Sequence, residues 1–310
     1  MSFLDLPNEL IVKIFSKAEK KDIFISGQVS QRFRKISRDD SLWRKVHMEI
    51  VQAEDLRLML FLEFENLSLR CSTIVGSLNK PQNSQLRNLD IYFDTYPEEF
   101  ESNEVLEELL ESCRSLHQLV MEGKLTNGMV GSICKNSATL QILNLSQIWM
   151  DDESDFSAQS SFFLQIISCC QQLKELKLHY SQRLPEDDLK SLVENISPNI
   201  LNLDLSATYI RDNHMAILLS RCNKIKYLNF NFTSVTDDSL KNIGDKLKNT
   251  LEELSLEYCY GISFTGVLEL KCMTRLKILN VSTFGEENDN DLKRQLSHLH
   301  GSGILARNKI

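Results

Sequence analysis

Several patterns that would indicate a membrane protein, a metal protein or an enzyme are missing from this 310-residue sequence. No apolar run approaches the ~20 residues that a transmembrane helix needs. The first apolar stretch is interrupted by Asp5, Glu9 and Lys13, so no secretory signal is predicted. The eight cysteines form no CxxC pair, which argues against a structural zinc site. A glycine-rich phosphate loop, HExxH and GxSxG are also absent. We therefore predict no cofactor and no catalytic site, and we expect a protein of the cytoplasm or the nucleus.

The chain also lacks an excess of positive charge, since its 43 acidic residues outnumber its 35 basic ones. The formal net charge is -8 and the sequence pI is about 5.4, which argues against nucleic acid and acidic membranes as partners. The charge is uneven along the chain. Residues 1–50 hold ten basic and seven acidic residues and carry +3, whereas the remainder carries -11. The N-terminal fifty residues therefore differ in kind from the rest.

What the chain does have is an internal repeat. The pattern L-x-x-L-x-L recurs eight times, and a weaker copy, FENLSL, precedes it at 64–69. The steps between copies are 22 to 33 residues, the spacing of leucine-rich repeats. One strand and one helix cannot bury their apolar faces alone, but stacked neighbours can. We therefore expect an α/β fold, a curved solenoid of about nine strand–helix repeats over 49–299. The middle leucine of each copy marks its strand: Leu67, Leu89, Leu119, Leu143, Leu176, Leu203, Leu228, Leu254 and Leu279.

The segments between the strands predict the returning helices. Residues 187–196, 212–222 and 237–247 each begin with Asp, a residue that favours helix starts, and continue with apolar residues at helical spacing. The acidic, serine-rich stretch at 150–161 is interpreted as a solvated loop. A calcium loop is the alternative, but the central glycine of an EF-hand is absent there.

Residues 1–48 do not repeat and read as short helices. Pro7 suits the first turn of a helix, and an apolar stripe follows it. Further helical segments are predicted at 21–30, 31–37 and near 39–46. Four short helices make a poor independent core, so part of their apolar surface must be covered by something else.

Three stretches, LPNELIVKIF, QVSQRFRKIS and DSLWRKV, resemble an F-box in their order and spacing. Together with the repeats, the chain is similar to the F-box and leucine-rich-repeat family, and its stretches 119–146 and 267–281 look most like the S-phase-kinase-associated branch. The resemblance implies an all-helical F-box at 1–48 that docks on the Skp adaptor and through it joins a cullin-RING ubiquitin ligase. The docking positions that the resemblance implies are Leu6, Pro7, Leu10, Ile11, Ile14, Phe15 and Trp43.

Physical reasoning from the residues points the same way, with one alternative left open. A large apolar patch on a small module usually marks an interface, and tryptophan is enriched among binding hot spots. The alternative is that the helices only seal the first repeat, because solenoids need capping. One face could seal while another docks.

The side chains that flank the leucines should line the inner curve of the solenoid. Six of them are acidic and only Lys177 is a fixed cation, which suits a protein substrate that carries Lys or Arg. The resemblance also implies a small cyclin-kinase-binding accessory subunit near Tyr258 and Tyr260. The candidate substrate-binding residues are Glu175, Lys177, His179, Asp204, Tyr227, Glu253, Glu257 and Tyr258.

The C-terminal tail, 300–310, follows a predicted helix at 289–300. It carries Arg307 and Lys309, and we expect it to fold back across the acidic inner curve.

Three functions are weighed. The first is a non-catalytic substrate-recognition subunit of an SCF (Skp–cullin–F-box) E3 ubiquitin ligase, which leads to degradation of its target. The second is an F-box scaffold that acts outside any ligase. The third is an enzyme, and no catalytic motif in the sequence supports it. The sequence leaves open the identity of the substrate and whether a phosphorylated recognition motif is required.

Overall fold

The computed structural model describes residues 5–43, 46–60, 65–79, 85–93, 102–146, 148–149, 156–179, 186–282, 284–296 and 303–307. The chain divides into two compact units, Met1–Leu140 and Gln141–Ile310. Within the described ranges, every helix is too short or too polar to cross a lipid bilayer.

The first unit opens with three helices at the predicted places: α1 (Asn8–Phe15), α2 (Lys20–Val29) and α3 (Gln31–Ser37). The start of α3 is capped by Ser30, whose Oγ accepts a hydrogen bond of 3.1 Å from the backbone N–H of Phe33. Such a cap satisfies one of the unpaired N–H groups at a helix start.

The prediction of a fourth helix near 39–46 is wrong. A single 3-10 turn, Asp40–Leu42, stands there, and strand β1 (Val46–Gln52) follows it. Val46 pairs with Leu69 of the next strand, so the backbone at this point is hydrogen-bonded within a sheet. The predicted boundary at residue 48 therefore falls inside β1.

The remainder of the first unit alternates strand and helix. Strands β1 to β4 lie side by side in sequence order, and the described pairings among them are parallel. Leu67, Leu89 and Leu119 stand opposite one another in register and are buried. The elements after β1 are α4 (Ala53–Leu60), β2 (Asn66–Val75), β3 (Asn88–Phe93), α5 (Ser102–Ser112), β4 (Gln118–Met121), the short β5 (Gly123–Lys124) and α6 (Asn127–Lys135).

The second unit repeats the same arrangement more regularly. Its first strands and helices are β6 (Ile142–Asn144), the short β7 (Ile148–Trp149), α7 (Phe156–Cys169), β8 (Glu175–Lys177), α8 (Glu186–Asn195), β9 (Asn202–Asp204) and α9 (Asp212–Arg221). Its last ones are β10 (Tyr227–Asn229), α10 (Asp237–Leu247), β11 (Glu253–Leu256), α11 (Phe264–Leu268) with a 3-10 turn at Glu269–Cys272, β12 (Ile278–Ser282), α12 (Glu286–Gln295) and β13 (Gly303–Arg307). Strand β6 and strands β8 to β13 pair in parallel.

The middle leucines form the core of this unit. Six of them, from Leu143 to Leu279, face one another across successive strands without a slip in register, and all are buried. Full burial of such a side chain contributes about 1.5–3 kcal/mol. The residues on either side of these leucines are half-buried, as alternation along a strand requires, except that Ser255 after Leu254 is buried. The repeat prediction and the leucine-rich-repeat fold class are confirmed.

Acidic residues at the helix starts connect neighbouring repeats. Asp212 accepts hydrogen bonds from the backbone N–H (2.9 Å) and Oγ1 (2.8 Å) of Thr236 in the next repeat. Asp237 does the same with the N–H (2.8 Å) and Oγ (2.6 Å) of Ser263. The sequence predicted these aspartates as helix-start residues and missed that they also bind across repeats.

Two further expectations are corrected. The stretch 150–161 was expected to be a loop, but helix α7 already begins at Phe156, because Phe162, Phe163 and Ile166 bury one face of that helix. Residues 150–155 lie outside the described residues.

The tail was expected to cross the inner curve. Its residues 303–307 instead form β13, which pairs in parallel with β12 and so satisfies the backbone groups that an edge strand leaves open.

Candidate functional site: two interaction surfaces

The first candidate surface is the exposed apolar face of α1. Leu10 and Ile14 are each 44 % exposed and lie four residues apart, hence on one side of the helix. Pro7 precedes them and is also exposed, whereas Leu6 is half-buried. We call Pro7, Leu10 and Ile14 the α1 face. It leaves three of the seven predicted adaptor-binding residues well exposed to a partner.

The opposite side of α1 is buried and holds the helix in place. Ile11 and Phe15 point into the interior. Phe15 packs edge-to-face on Phe33 of α3, with ring centroids 5.9 Å apart. Arg32 of α3 donates from Nε to Asn8 Oδ1 at 2.9 Å. The α1 face is therefore presented by a helix that is fixed against α3 before any partner arrives.

Trp43 lies in the interior of the helical module. Its side chain is 0 % exposed, and its indole Nε1–H donates to the carbonyl oxygen of Ser37 at 2.8 Å. Lys20 lies over the indole ring at 5.2 Å and donates from Nζ to the Leu42 carbonyl at 2.6 Å. Burial lowers the pKa of Lys20. Ile11, Phe15 and Trp43 are enclosed in the helical module and support the α1 face from within, and their part in adaptor binding stays a prediction.

A polar connection joins the module to the first repeat. The backbone N–H of Ser68 in β2 donates to the Trp43 carbonyl at 3.2 Å. Asn66 donates from Nδ2 to Asp40 at 2.7 Å and accepts from the side chain of Asn88 in β3. The capping interpretation and the docking interpretation therefore concern different faces of one module. The face with Asp40 and Trp43 covers the first repeat, and the α1 face stays exposed.

Two exposed apolar residues on α2 were not predicted from the sequence. Ile25 is about half exposed and Val29 is 71 % exposed. They lie four residues apart, so they share one side of that helix. The signal was present as the apolar pair Ile25 and Val29 at helical spacing, on another side of the helix from the buried Ile23.

The second candidate surface lies on the strands of the second unit. We define the strand face as the side chains immediately before, immediately after and three residues after each middle leucine of β8 to β12. A depression of about 360 Å³ opens on it. The structure brings four of the predicted residues together in this depression, Glu175, Lys177, Tyr227 and Glu253, and leaves His179, Asp204, Glu257 and Tyr258 outside its lining.

Glu175 and Lys177 form a local ion pair of 2.9 Å. Glu175 also accepts from Asn202 Nδ2 at 2.9 Å. Burial alone would raise the pKa of Glu175, but the hydrogen bonds from Asn202 and Lys177 outweigh it and lower the pKa below its ordinary value. The fixed cation of this face is thus already occupied by a carboxylate.

A chain of hydrogen bonds runs through Asp204. Ser206 Oγ donates to Asp204 Oδ1 at 2.6 Å, and Asn229 donates to Oδ2 at 2.9 Å. His179 Nδ1 lies 2.6 Å from Ser206 Oγ. Because the Ser206 hydroxyl proton points to Asp204, the histidine must donate from Nδ1. Burial lowers the pKa of His179, against the opposing effect of Asp204.

Carboxylates lie close to the phenol of Tyr227, although Lys177 and Lys226 line the same depression. Burial raises the pKa of the Tyr227 phenol, and the carboxylates of Asp204, Glu253 and Glu175 raise it further. At the end of the neighbouring strands, the rings of Phe232 and Tyr258 stack with centroids 4.4 Å apart and planes at 11°.

Comparison with known proteins finds relatives for both parts of the chain. A family model described as "F-box-like" matches residues 3–49, and one described as "SKP2 LRR domain" matches residues 57–303. F-box/LRR-repeat protein 21 of Arabidopsis thaliana is 29 % identical over 282 residues, which covers 90 % of this chain and 81 % of that protein. F-box protein SKIP19 of the same plant is 24 % identical over 284 residues, which covers 90 % of this chain and 76 % of that protein.

Proposed function

Because this chain belongs to the family of F-box proteins with an SKP2-type leucine-rich-repeat domain, we propose that it is the substrate-recognition subunit of an SCF E3 ubiquitin ligase. The α1 face binds the Skp adaptor, and the strand face binds a target protein. The subunit does no chemistry of its own. It raises the local concentration of target lysines beside the ubiquitin-charged enzyme, which turns a bimolecular encounter into an effectively intramolecular one.

The observation that supports this proposal best is the solvent exposure of Leu10 and Ile14 on a helix whose other side is fully packed. A module that served only as a cap would bury this side as well, since exposed apolar area is costly. Apolar side chains kept outward on a fixed helix suit a partner that covers them.

The strand face supports the target-binding half of the proposal. Asp204, Glu253 and Glu257 are half-buried on it, and its cation Lys177 is paired with Glu175. Such a surface is complementary to a basic segment of another protein.

The test is co-purification of the full chain with the Skp adaptor and the cullin. We expect the wild type to capture both, and a Leu10→Glu/Ile14→Glu variant to capture neither, because two carboxylates would have to be buried unpaired at the interface. Tyr209→Glu is the matched control: it places a carboxylate on an exposed aromatic residue of the second unit and should leave capture unchanged.

The outcomes separate the alternatives. Capture of the adaptor without the cullin would favour the scaffold function outside a ligase. Failure of the wild type to capture either partner would refute both. Circular dichroism of the double variant must match the wild type, since a loss of helical signal would mean that the α1 face is structural.

Two narrower proposals follow from the same assignment. One is an accessory cyclin-kinase-binding subunit that contacts the region of Tyr258 and Tyr260, testable by adding that subunit to the co-purification. The other is a cytoplasmic or nuclear location, testable by imaging a tagged chain.

A further inference from the structure

The depression of about 360 Å³ on the strand face crosses four neighbouring strands, β8 to β11. Its volume is near the lower end of the roughly 300–1,000 Å³ that ligand clefts occupy, and it gives room for about a dozen waters or for one long side chain. The lining contains three glutamates and two lysines. Which of these charges are already paired decides what the depression can bind.

Two of the three glutamates have cationic partners within the chain. Glu175 pairs with Lys177 at 2.9 Å. Glu252, which precedes β11, contacts Lys277 of the next repeat and also pairs with Lys226 at 3.7 Å. Both lysines of the lining are therefore engaged by carboxylates other than that of Glu253.

Glu253 is the exception among the glutamates of the depression. Its side chain is half-buried. Among the residues that the structure describes, the ion pairs of the lining leave its carboxylate out, and no side-chain hydrogen bond reaches it. A carboxylate that has lost part of its water without gaining a partner is stabilised when a cation meets it.

The neighbours of Glu253 suit the stem of a long cationic side chain. The register of the strands places Tyr227 on one side of Glu253 and Ile278 on the other, and both are half-buried. Strands in a sheet lie about 4.8 Å apart, so all three side chains are in reach of one ligand group. Lysine and arginine lay their methylene stems along apolar surface while the charged end stays at a polar group, and an aromatic ring attracts the cation.

We propose that the depression receives a lysine or arginine side chain of the target protein, with its charged end on Glu253 and its stem between Tyr227 and Ile278. The proposal rests on the proposed function, which assigns the strand face to the target. It adds a residue that determines specificity, Glu253. It also implies that acetylation of a target lysine, which removes the charge, prevents recognition.

The experiment uses the full chain in complex with its adaptor, or alone if it captures none. Immobilised libraries of short capped peptides carry lysine, arginine, acetyl-lysine or citrulline at a fixed central position, with varied flanking residues. We expect the wild type to retain the lysine or the arginine library several-fold better than its neutral counterpart. The comparison between the lysine and arginine libraries identifies which of the two cations the depression prefers.

Three variants connect the preference to the depression. Glu253→Gln keeps the shape of the side chain and removes its charge, and it should reduce the preference about fivefold, as the loss of an ion pair implies. Tyr227→Leu keeps apolar bulk without the ring and should reduce it about threefold. Glu194→Gln is the matched control, because it removes one exposed carboxylate of α8 and should leave the preference unchanged.

A measurement on the wild type locates the contact without any variant. A zero-length carbodiimide crosslinker joins a lysine ammonium to a carboxylate only where the two are in contact, and mass spectrometry of the digest identifies that carboxylate. We expect lysine peptides to be joined to Glu253.

The proposal is overturned if cationic and neutral peptides are retained equally or if none is retained. It is also overturned if Glu253→Gln behaves like Glu194→Gln, or if the crosslinks map only to other carboxylates.

The cation site and the ligase assignment fail separately. If the chain captures the adaptor but shows no preference for cationic peptides, the cation site is refuted and the ligase function stands. If the chain captures no adaptor but selects cationic peptides through Glu253, the ligase function is refuted and the cation site stands.

Discussion

The indole Nε1 of Trp43 donates to the carbonyl oxygen of Ser37 at 2.8 Å, and this bond joins the end of the helical module to α3. Trp43→Ala should therefore lower the free energy of unfolding by about 3–5 kcal/mol, because a large buried ring leaves a cavity. Urea unfolding followed by circular dichroism measures the change. Trp43→Phe keeps most of the volume but leaves the Ser37 carbonyl without its donor, and it should cost about 1–3 kcal/mol. An undiminished unfolding free energy in Trp43→Ala would show that the indole contributes little to folding.

The exposed pair on α2 should contribute to adaptor binding alongside the α1 face. We expect Ile25→Glu/Val29→Glu to weaken capture of the adaptor at least about tenfold, since charges replace apolar area that a partner would cover. Titration of the purified adaptor measures the affinity. Tyr209→Glu again serves as the control. Wild-type affinity in the α2 variant would confine the interface to the α1 face.

The contacts of Asp212 with the next repeat should stabilise the second unit. Asp212→Asn exchanges a carboxylate oxygen that accepts hydrogen bonds for an amide nitrogen that donates, so at least one bond from Thr236 or Ser239 is lost. We expect a loss of about 1–2 kcal/mol in the free energy of unfolding. Asp238→Asn is the matched control, because Asp238 also lies in the first turn of its helix but is exposed. Equal losses in the two variants would point to a general charge effect at helix starts.

The same residue predicts a dependence on pH. Burial alone would raise the pKa of Asp212, but hydrogen bonds from Ser239 and Thr236 outweigh it and lower the pKa below the ordinary value. A carboxyl group whose pKa is lower in the folded state stabilises that state above its unfolded pKa of about 4, and this stabilisation is lost as the pH falls through the folded value. The difference in unfolding free energy between the wild type and Asp212→Asn should therefore be full at pH 6 and shrink below about pH 4. A constant difference across this range would contradict the assignment.

Strand β13 should protect the edge of β12. Removal of residues 303–310 leaves the outer backbone groups of β12 without their partner strand, so its amide hydrogens should exchange with solvent faster. Hydrogen exchange read by mass spectrometry on a peptide that covers Ile278–Ser282 measures this. Removal of residues 308–310 alone is the control and should change nothing in β12. Unchanged exchange after the longer deletion would mean that β13 adds no protection.

The sequence predicted the repeating part of the fold well because each repeat carries the same physical constraint. Every middle leucine from Leu67 to Leu279 lies in a strand and is buried, since alternation along a strand places these leucines on the face that packs into the core. The helices that begin with Asp212 and Asp237 were also predicted, because the preference of aspartate for helix starts depends only on the residues next to it in the sequence.

The remainder could not be predicted from local pattern. The apolar stripe of α1 did not distinguish Ile11 and Phe15, which are buried, from Leu10 and Ile14, which are exposed, because that choice depends on where α3 packs. Trp43 is enclosed for the same reason. The stack of Phe232 on Tyr258 depends on which residues occupy one position in two different repeats, and only the register of the strands brings them together.

The rung-like alignment of Leu143 to Leu279 has a consequence for how the second unit comes apart. Each strand pairs only with the strand before it and the strand after it. Local unfolding that begins at an end strand therefore proceeds one repeat at a time. Strand β13 is such an end among the described strands, and Tyr258, the nearer ring of the aromatic stack, follows β11, with β12 between them. Fraying from this side therefore reaches the stack only after β13 and β12 have opened.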